Sequence, residues 1–416
     1  MFFQNKIFQV VVCCLVLTLF SFCLHVLPNT NTMINYVDEH HPKQNNEMIS
    51  DGFLPWSVDF HQKLFDFKKR PLTSFLIEIL SSVLNIKISY AFVIINFTLT
   101  FFCALIVYYL SQQFFNSHVI PLISSAYFLL SFSVLFAYFI PIATYDEPIQ
   151  FLFLILTLIA LKKRKYILYI IFLTFALIAR ESSLIIIPGI VLFLSELDIF
   201  QPFKDKKILI RTIVINSIPI IIYGIYIILF YYFISEASER PSLYERFSLY
   251  EKNFRNISNT IRTFISFASI NLFPVFLIVF SWKFFKNNAV FFNWIKAFVL
   301  TTFINTSVVF ISVFAEEARV FSLPLIFMFP FFGQMLLFIL TSLKTQLTLL
   351  SNIKIIFLST IVTFFFWIGI KKIYNMTDLN LHNNLYEEYH AICIFLILLA
   401  IFRKYFSYKY EIGKNY

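Results

Sequence analysis

Three short stretches set carboxylates and guanidinium groups at the ends of long apolar runs: TYDEP (144–148), ARESS (179–183) and AEEARVF (315–321). Between them they hold Asp146, Glu147, Arg180, Glu181, Glu316, Glu317 and Arg319. Ionised side chains bordering grease are costly, so they point into the protein or into a water-filled cavity. A guanidinium grips phosphate oxygens as a two-pronged fork. A carboxylate can take the proton of an attacking hydroxyl. Arginines beside carboxylates therefore suit a lipid phosphate whose tail lies between helices. A third basic group, Lys69 and Arg70 in KKRPL (68–72), falls where a lipid headgroup would sit. Simpler roles also fit. Asp146 or Glu147 could cap a helix that has Pro148 in its first turn, and Arg180–Glu181 could be a local ion pair.

A further acidic stretch follows the first apolar run. NYVDEHHPKQNNEMISDGFLPWSVDF (35–60) carries Asp38, Glu39, His40, His41, Asp51 and Asp59. The DEHH run invites a metal reading, but adjacent side chains diverge and the four cannot ligate one ion. No metal site is assigned. Asp38 and Glu39 are the first candidates for acid–base work, with Asp51 and Asp59 behind them. Beyond this stretch, Leu72, Phe75, Leu76, Ile79, Leu80 and Val83 recur at helical spacing, with Ser74, Glu78 and Ser82 on the other side. Such a helix can lie along a membrane interface.

These residues need elements to hold them, and composition says what kind. The 416 residues are 59% hydrophobic and 13% charged, with 57 Phe and 6 Gly and a mean hydropathy of +0.78. The expected fold is an all-α polytopic membrane protein. Runs long enough to cross a bilayer recur throughout, about twelve in all. They include 7–27, 88–110, 148–161, 166–180, 183–196, 296–315 and 318–340. The first has no cleavage signature and reads as a retained anchor. The five Cys lie in apolar segments without metal or disulfide spacing. The net charge of +10 reflects basic clusters beside spans and is no nucleic-acid signal.

Putting both termini in the cytoplasm places KKRK (162–165), FKDKK (203–207), Lys296 and the basic tail inside, as the positive-inside rule asks. The long loop 28–87 then lies outside, with TYDEP, ARESS, AEEARVF and the smaller loops 235–262 and 371–390. The acids and lone arginines thus gather on one face, although only the basic clusters set the orientation.

That ordered set resembles the GT-C superfamily, the polyprenyl-phosphate-dependent membrane glycosyltransferases such as protein mannosyltransferases and the aminoarabinose transferase of lipid A. VDEHH stands where they carry a first-loop acid, KRPL (69–72) resembles their KPPL motif, and YDEP stands at their second acid. ARESSLIIIPG (179–189) and EEARVFSLPL (316–325) resemble two further elements. KRPL lacks the first Pro of the motif, and no large soluble C-terminal domain follows. The resemblance implies one GT-C-like domain over 1–416. It implies inverting transfer of a sugar from a polyprenyl-phosphate donor, at the outer face of the cytoplasmic membrane, to a glycan, lipid or protein acceptor. Asp38 or Glu39 would be the base, with Asp146 or Glu147 orienting the acceptor. Lys69, Arg70, Arg180, Glu181, Glu317 and Arg319 would bind substrate. Some members use a divalent cation such as Mg or Mn and others none, so no cofactor is assigned. A polysaccharide polymerase or ligase is the rival enzyme. A lipid or glycan transporter is the non-enzymatic one; the scarcity of Gly and the lack of a visible internal repeat argue against it.

Overall fold

A computed structural model describes residues 6–40, 53–131, 134, 146–195, 206–233, 243–315, 318–342, 349–377 and 385–414; over 25–40 the backbone alone is described. Among the described residues every regular element is a helix. Seven helices are long and apolar enough to cross a membrane, beginning with Lys6–Leu24 and Ile88–Gln112. The protein is a multi-pass helical membrane protein. Five shorter apolar helices accompany the seven.

In chain order α1 is Lys6–His40, α2 Phe53–Lys63, α3 Phe65–Lys68, α4 Leu72–Leu84, α5 Ile88–Gln112 and α6 Val119–Leu130. Then come α7 Glu147–Lys162, α8 Tyr166–Ala179, α9 Lys206–Phe233, α10 Leu243–Phe254 and α11 Ile257–Phe285. The last four are α12 Ala289–Ser312, α13 Phe329–Ser342, α14 Leu349–Thr377 and α15 Leu385–Lys414. The first helix does not stop at Pro28, where the sequence suggested a loop, but runs on to His40. The 235–262 loop likewise holds α10, and the 371–390 loop begins as the end of α14.

Two expected spans, 183–196 and 318–340, are broken helices. After α8 the chain leaves helical geometry at Arg180 (φ −162°, ψ 124°). It re-enters as a 3-10 turn (Glu181–Ile186), one α turn (Ile187–Gly189) and a π turn (Ile190–Leu194). The second break has 3-10 turns at Ala318–Phe321 and Leu323–Phe327 before α13. Pro188, Pro324 and Pro330 remove backbone donors here, which explains why neither stretch continues as one α-helix.

The apolar core is rich in aromatic rings. Phe114, Phe291, Trp294 and Phe331 pack with ring centroids 4.7–5.5 Å apart, in the tilted and edge-on arrangements aromatic pairs prefer. Against α6, α13 comes so close that a Cβ on Gly333 would lie 2.1 Å from the Ile120 carbonyl oxygen. The Gly333 N–H of α13 donates to Ser124 Oγ at 3.0 Å. Ser124 thus ties the two helices together at this close approach.

For function, the important unit is the hairpin of α7 and α8. Its turn, Lys163–Lys165, uses a left-handed Arg164 (φ 56°). Lys162 and Lys163 fold back over the rings of Phe114 and Tyr109 at 3.8 and 4.5 Å. The basic turn therefore sits against the end of α5, where cation–π contact holds it. Sixteen residues of α7 separate it from Glu147, about 24 Å of helix. Glu147 and Arg180 meet at the opposite end.

Candidate functional site: a buried network of opposed charges

At that end four parts of the chain converge: the α2–α4 segment, the start of α7, the break after α8 and the break before α13. Each supplies charge. Arg70 forms a two-pronged pair with Glu181, Nε to Oε2 at 2.8 Å and NH2 to Oε1 at 2.6 Å. Lys69 Nζ lies 3.2 Å from the same Glu181 oxygen. On its other side, Arg70 NH1 is 3.8 Å from Asp146 Oδ2. Arg180 pairs with Glu147, and Arg319 NH1 reaches the same Glu147 oxygen at 3.7 Å.

Local structure explains these positions. Pro71 starts α4 and leaves Lys69 and Arg70 just outside it. The Lys69 carbonyl accepts from Tyr226 of α9 at 2.9 Å, which ties the basic pair to the bundle. Glu147 opens α7, where the positive end of the helix dipole favours a carboxylate. Asp146 holds the N-cap place but makes no side-chain cap hydrogen bond, so capping does not account for it. Arg180 and Arg319 lie at the two helix breaks, and there the chain turns them toward Glu147.

Burial makes the network costly and specific. Asp146 is 1% exposed and Glu147 2%. Among the described residues four cations, Lys69, Arg70, Arg180 and Arg319, face three carboxylates, Asp146, Glu147 and Glu181, and burying so many charges is tolerable only because they are paired. Asp146 Oδ2 has no hydrogen-bond partner among the described residues. Burial pushes its carboxyl up, Arg70 draws it down and Glu147 pushes it up again, to about 7. Asp146 can thus change protonation near neutrality, as an acid–base group needs.

Beside the network lies a cavity of about 80 Å³ with Glu147, Gln150, Arg180, Ser182, Asn305 and Arg319 on its wall. It is several times the minimum volume for one water. Gln150 Nε2 donates to Ser182 and Ser183 at 3.0 and 2.9 Å, fixing the neutral part of the wall. Asn305 Nδ2 donates to the Val320 carbonyl at 2.9 Å and holds the turn that carries Arg319.

Of the residues singled out from sequence, Lys69, Arg70, Asp146, Glu147, Arg180, Glu181 and Arg319 therefore meet at one site. Glu317 and Asp51 lie outside the described residues, and of Asp38 and Glu39 only the backbone of the last turns of α1 is described. Asp59 is half-exposed and pairs with Lys63 at 2.8 Å, away from the network. Among the described residues no three His, Cys, Asp or Glu are grouped to hold a metal ion.

Sequence reading missed three members. His61 is 2% exposed, with Nδ1 4.0 Å from Asp146 Oδ2 and its ring 4.5 Å from that of Phe67. Its signal was present: Leu54, Ser57, Val58 and His61 follow the i, i+3, i+4, i+7 pattern of a buried helix face, and all four are buried. Gln150 and Asn305 are amides in apolar helices, residues that in membranes tend to bridge helices. No protein-family model, curated protein or solved structure matches the chain.

Proposed function

We propose that the chain is a membrane glycosyltransferase of the GT-C kind. It takes a sugar from a polyprenyl-phosphate donor at the outer face of the cytoplasmic membrane and passes it to an acceptor hydroxyl with inversion. The observation that carries this reading is the meeting of Arg180 and Arg319 on one buried carboxylate at the wall of a cavity. Two guanidinium groups from separate helix breaks, held apart by Glu147, form a cradle for a phosphate group.

In this reading the donor's tail lies between helices and its phosphate meets Arg180 and Arg319. Lys69 and Arg70 add positive charge nearby, partly neutralised by their pairing with Glu181. The bond from the anomeric carbon to the phosphate oxygen breaks as the acceptor oxygen forms its own bond to that carbon. The acceptor's proton passes to a carboxylate at the end of α1, Asp38 or Glu39. The arginines stabilise the charge that grows on the departing polyprenyl phosphate, the preorganised electrostatics that favour such transition states. Asp146 and Glu147 orient the acceptor. About twelve crossings, counting the short and broken helices, put this end of the α7–α8 hairpin outside and KKRK inside.

The test is direct. Purified protein is incubated with labelled polyprenyl-phosphate sugars, and free polyprenyl phosphate is measured. Wild type is expected to release it, Arg180→Ala to bind donor about tenfold or more weakly, and Asp38→Asn to lose transfer while still binding donor. Absence of release with every donor tried would overturn the reading. Full transfer by variants of Asp38, Glu39, Asp51 and Asp59 taken singly would remove the carboxylate-base mechanism.

A further inference from the structure

Arg319 sits in a single short 3-10 turn, Ala318–Phe321, yet it must reach a fixed point on Glu147. Two asparagines from different helices hold that turn and the chain before it. Asn305 of α12 holds its far side through the Val320 carbonyl at 2.9 Å. Asn253, in the last turn of α10, holds the chain that precedes the turn. Its Nδ2 donates to the carbonyls of Phe310 and Val313 at 3.1 and 2.8 Å. Its Oδ1 accepts from the Ala315 N–H at 3.1 Å. The side chain is 5% exposed and uses three of its hydrogen-bonding positions where α12 ends at Ser312.

The carbonyls at a helix end lack intrahelical donors, and Asn253 supplies them from outside. Around it, Phe254 packs edge-on against Phe310 at 5.3 Å, and Lys252 lies over Phe314 at 5.5 Å. Thr263 of α11 donates to the Asn253 carbonyl at 3.3 Å. The short helix α10 is thereby fastened to the last turn of α12 and to the chain that runs on to Arg319. Val309 and Val313 belong both to this junction and to the cavity wall.

We propose that Asn253 is a positioning residue for the anion site. It latches α10 onto the end of α12 at Phe310, Val313 and Ala315, the chain from which Arg319 follows four residues on, and so holds Arg319 toward Glu147 and the cavity. It touches no substrate and acts through Arg319. The proposal rests on the glycosyltransferase reading only for the identity of the anion.

The experiment uses full-length protein in detergent with farnesyl phosphate as a short polyprenyl-phosphate probe. Asn253→Ala removes the latch. Asn253→Asp is nearly isosteric and keeps the acceptor for Ala315, but loses both donated bonds. Amide exchange in peptides covering 313–322 is expected to rise about tenfold in Asn253→Ala, with α7–α8 peptides unchanged, because the opening is local. Farnesyl phosphate affinity is expected to fall about tenfold in both variants. In a double variant with Arg319→Ala it should fall no further than with Arg319→Ala alone, since both act through one group. Three results would overturn the proposal: unchanged exchange in 313–322, an equal rise in α7–α8, or losses that multiply in the double variant. Wild type that binds the probe but releases no lipid phosphate from any donor would sink the transferase reading, while exchange and affinity still decide Asn253.

Discussion

Replacing Glu147 with Gln isolates the electrostatics of the site. The side chain keeps its size and loses its charge, while Arg180 and Arg319 still converge on it. At 3.7 Å and an effective dielectric constant of about 20, the Arg319 contact alone has a gross attraction of about 4.5 kcal/mol. Desolvation offsets much of that in the wild type. In the variant the desolvation cost remains and the attraction does not. Breaking a buried pair by neutralising one partner typically costs about 3–5 kcal/mol, and Glu147→Gln is expected to fall in that range. The same change should improve anion binding, because Glu147 no longer occupies the arginines. A gain of about 1.4 kcal/mol would be tenfold in affinity. Farnesyl phosphate at about 100 times its Kd should return about 2.7 kcal/mol. Thermal unfolding of the purified protein, with and without the probe, measures both effects. A variant as stable as wild type would show that the Arg–Glu–Arg contact is energetically idle. A variant destabilised but binding farnesyl phosphate no better would show that Glu147 does not stand in the anion's place.

Asp146 faces Arg70, His61, Glu147, Arg180 and Glu181, and its carboxyl titrates at about 7. If the ionised form orients the acceptor, kcat/KM rises through pH 7, and Asp146→Asn removes that limb; an unchanged profile would exclude the role. The sign for stability is opposite. The folded value lies above that of a free carboxylate, so the contribution of the neutral buried acid is complete below about pH 4 and is lost as pH rises through 7. Asp146→Asn should therefore flatten thermal stability between those limits. Gly333→Ala would drive a methyl into the Ile120 carbonyl, backbone that cannot rotate away, and should cost about 1–3 kcal/mol as overpacking does; a neutral effect would show that α6 and α13 are not so close. Sidedness is best probed at exposed positions. Lys63→Cys, at the network end, and Arg164→Cys, in the basic turn, should label from opposite sides with an impermeant maleimide. Labelling from the same side would end the orientation proposed above.

How far the site could be read from sequence follows from where charge meets grease. Asp146, Glu147, Arg180 and Arg319 stood out because each borders a long apolar run, and such charges must find one another or water. The structure joins four segments that are remote in sequence but share that constraint. His61 obeyed the same logic without the contrast: its run, HQKLFDFKKR (61–70), mixes polar and apolar residues, so only the periodicity of α2 marks it. Asn253 left no signal of either kind. It is one polar residue in a polar helix, and its importance comes from ending beside α12, a tertiary fact that composition does not contain. The turn at Ala179–Ser183 was legible, since Arg180 and Glu181 interrupt the apolar pattern, but the breaks inside 183–196 and 318–340 were not, and both stretches read as continuous spans. Their 3-10 and π geometry was hidden too, because periodicity over five or six residues does not separate one helix type from another. Nor was the length of α1, whose polar second half reads as loop by composition and is helix to His40. Chemistry was therefore most legible where burial penalises charge most. It was least legible where neutral amides hold the arginines in place, and that is where the Asn253 experiment applies its test.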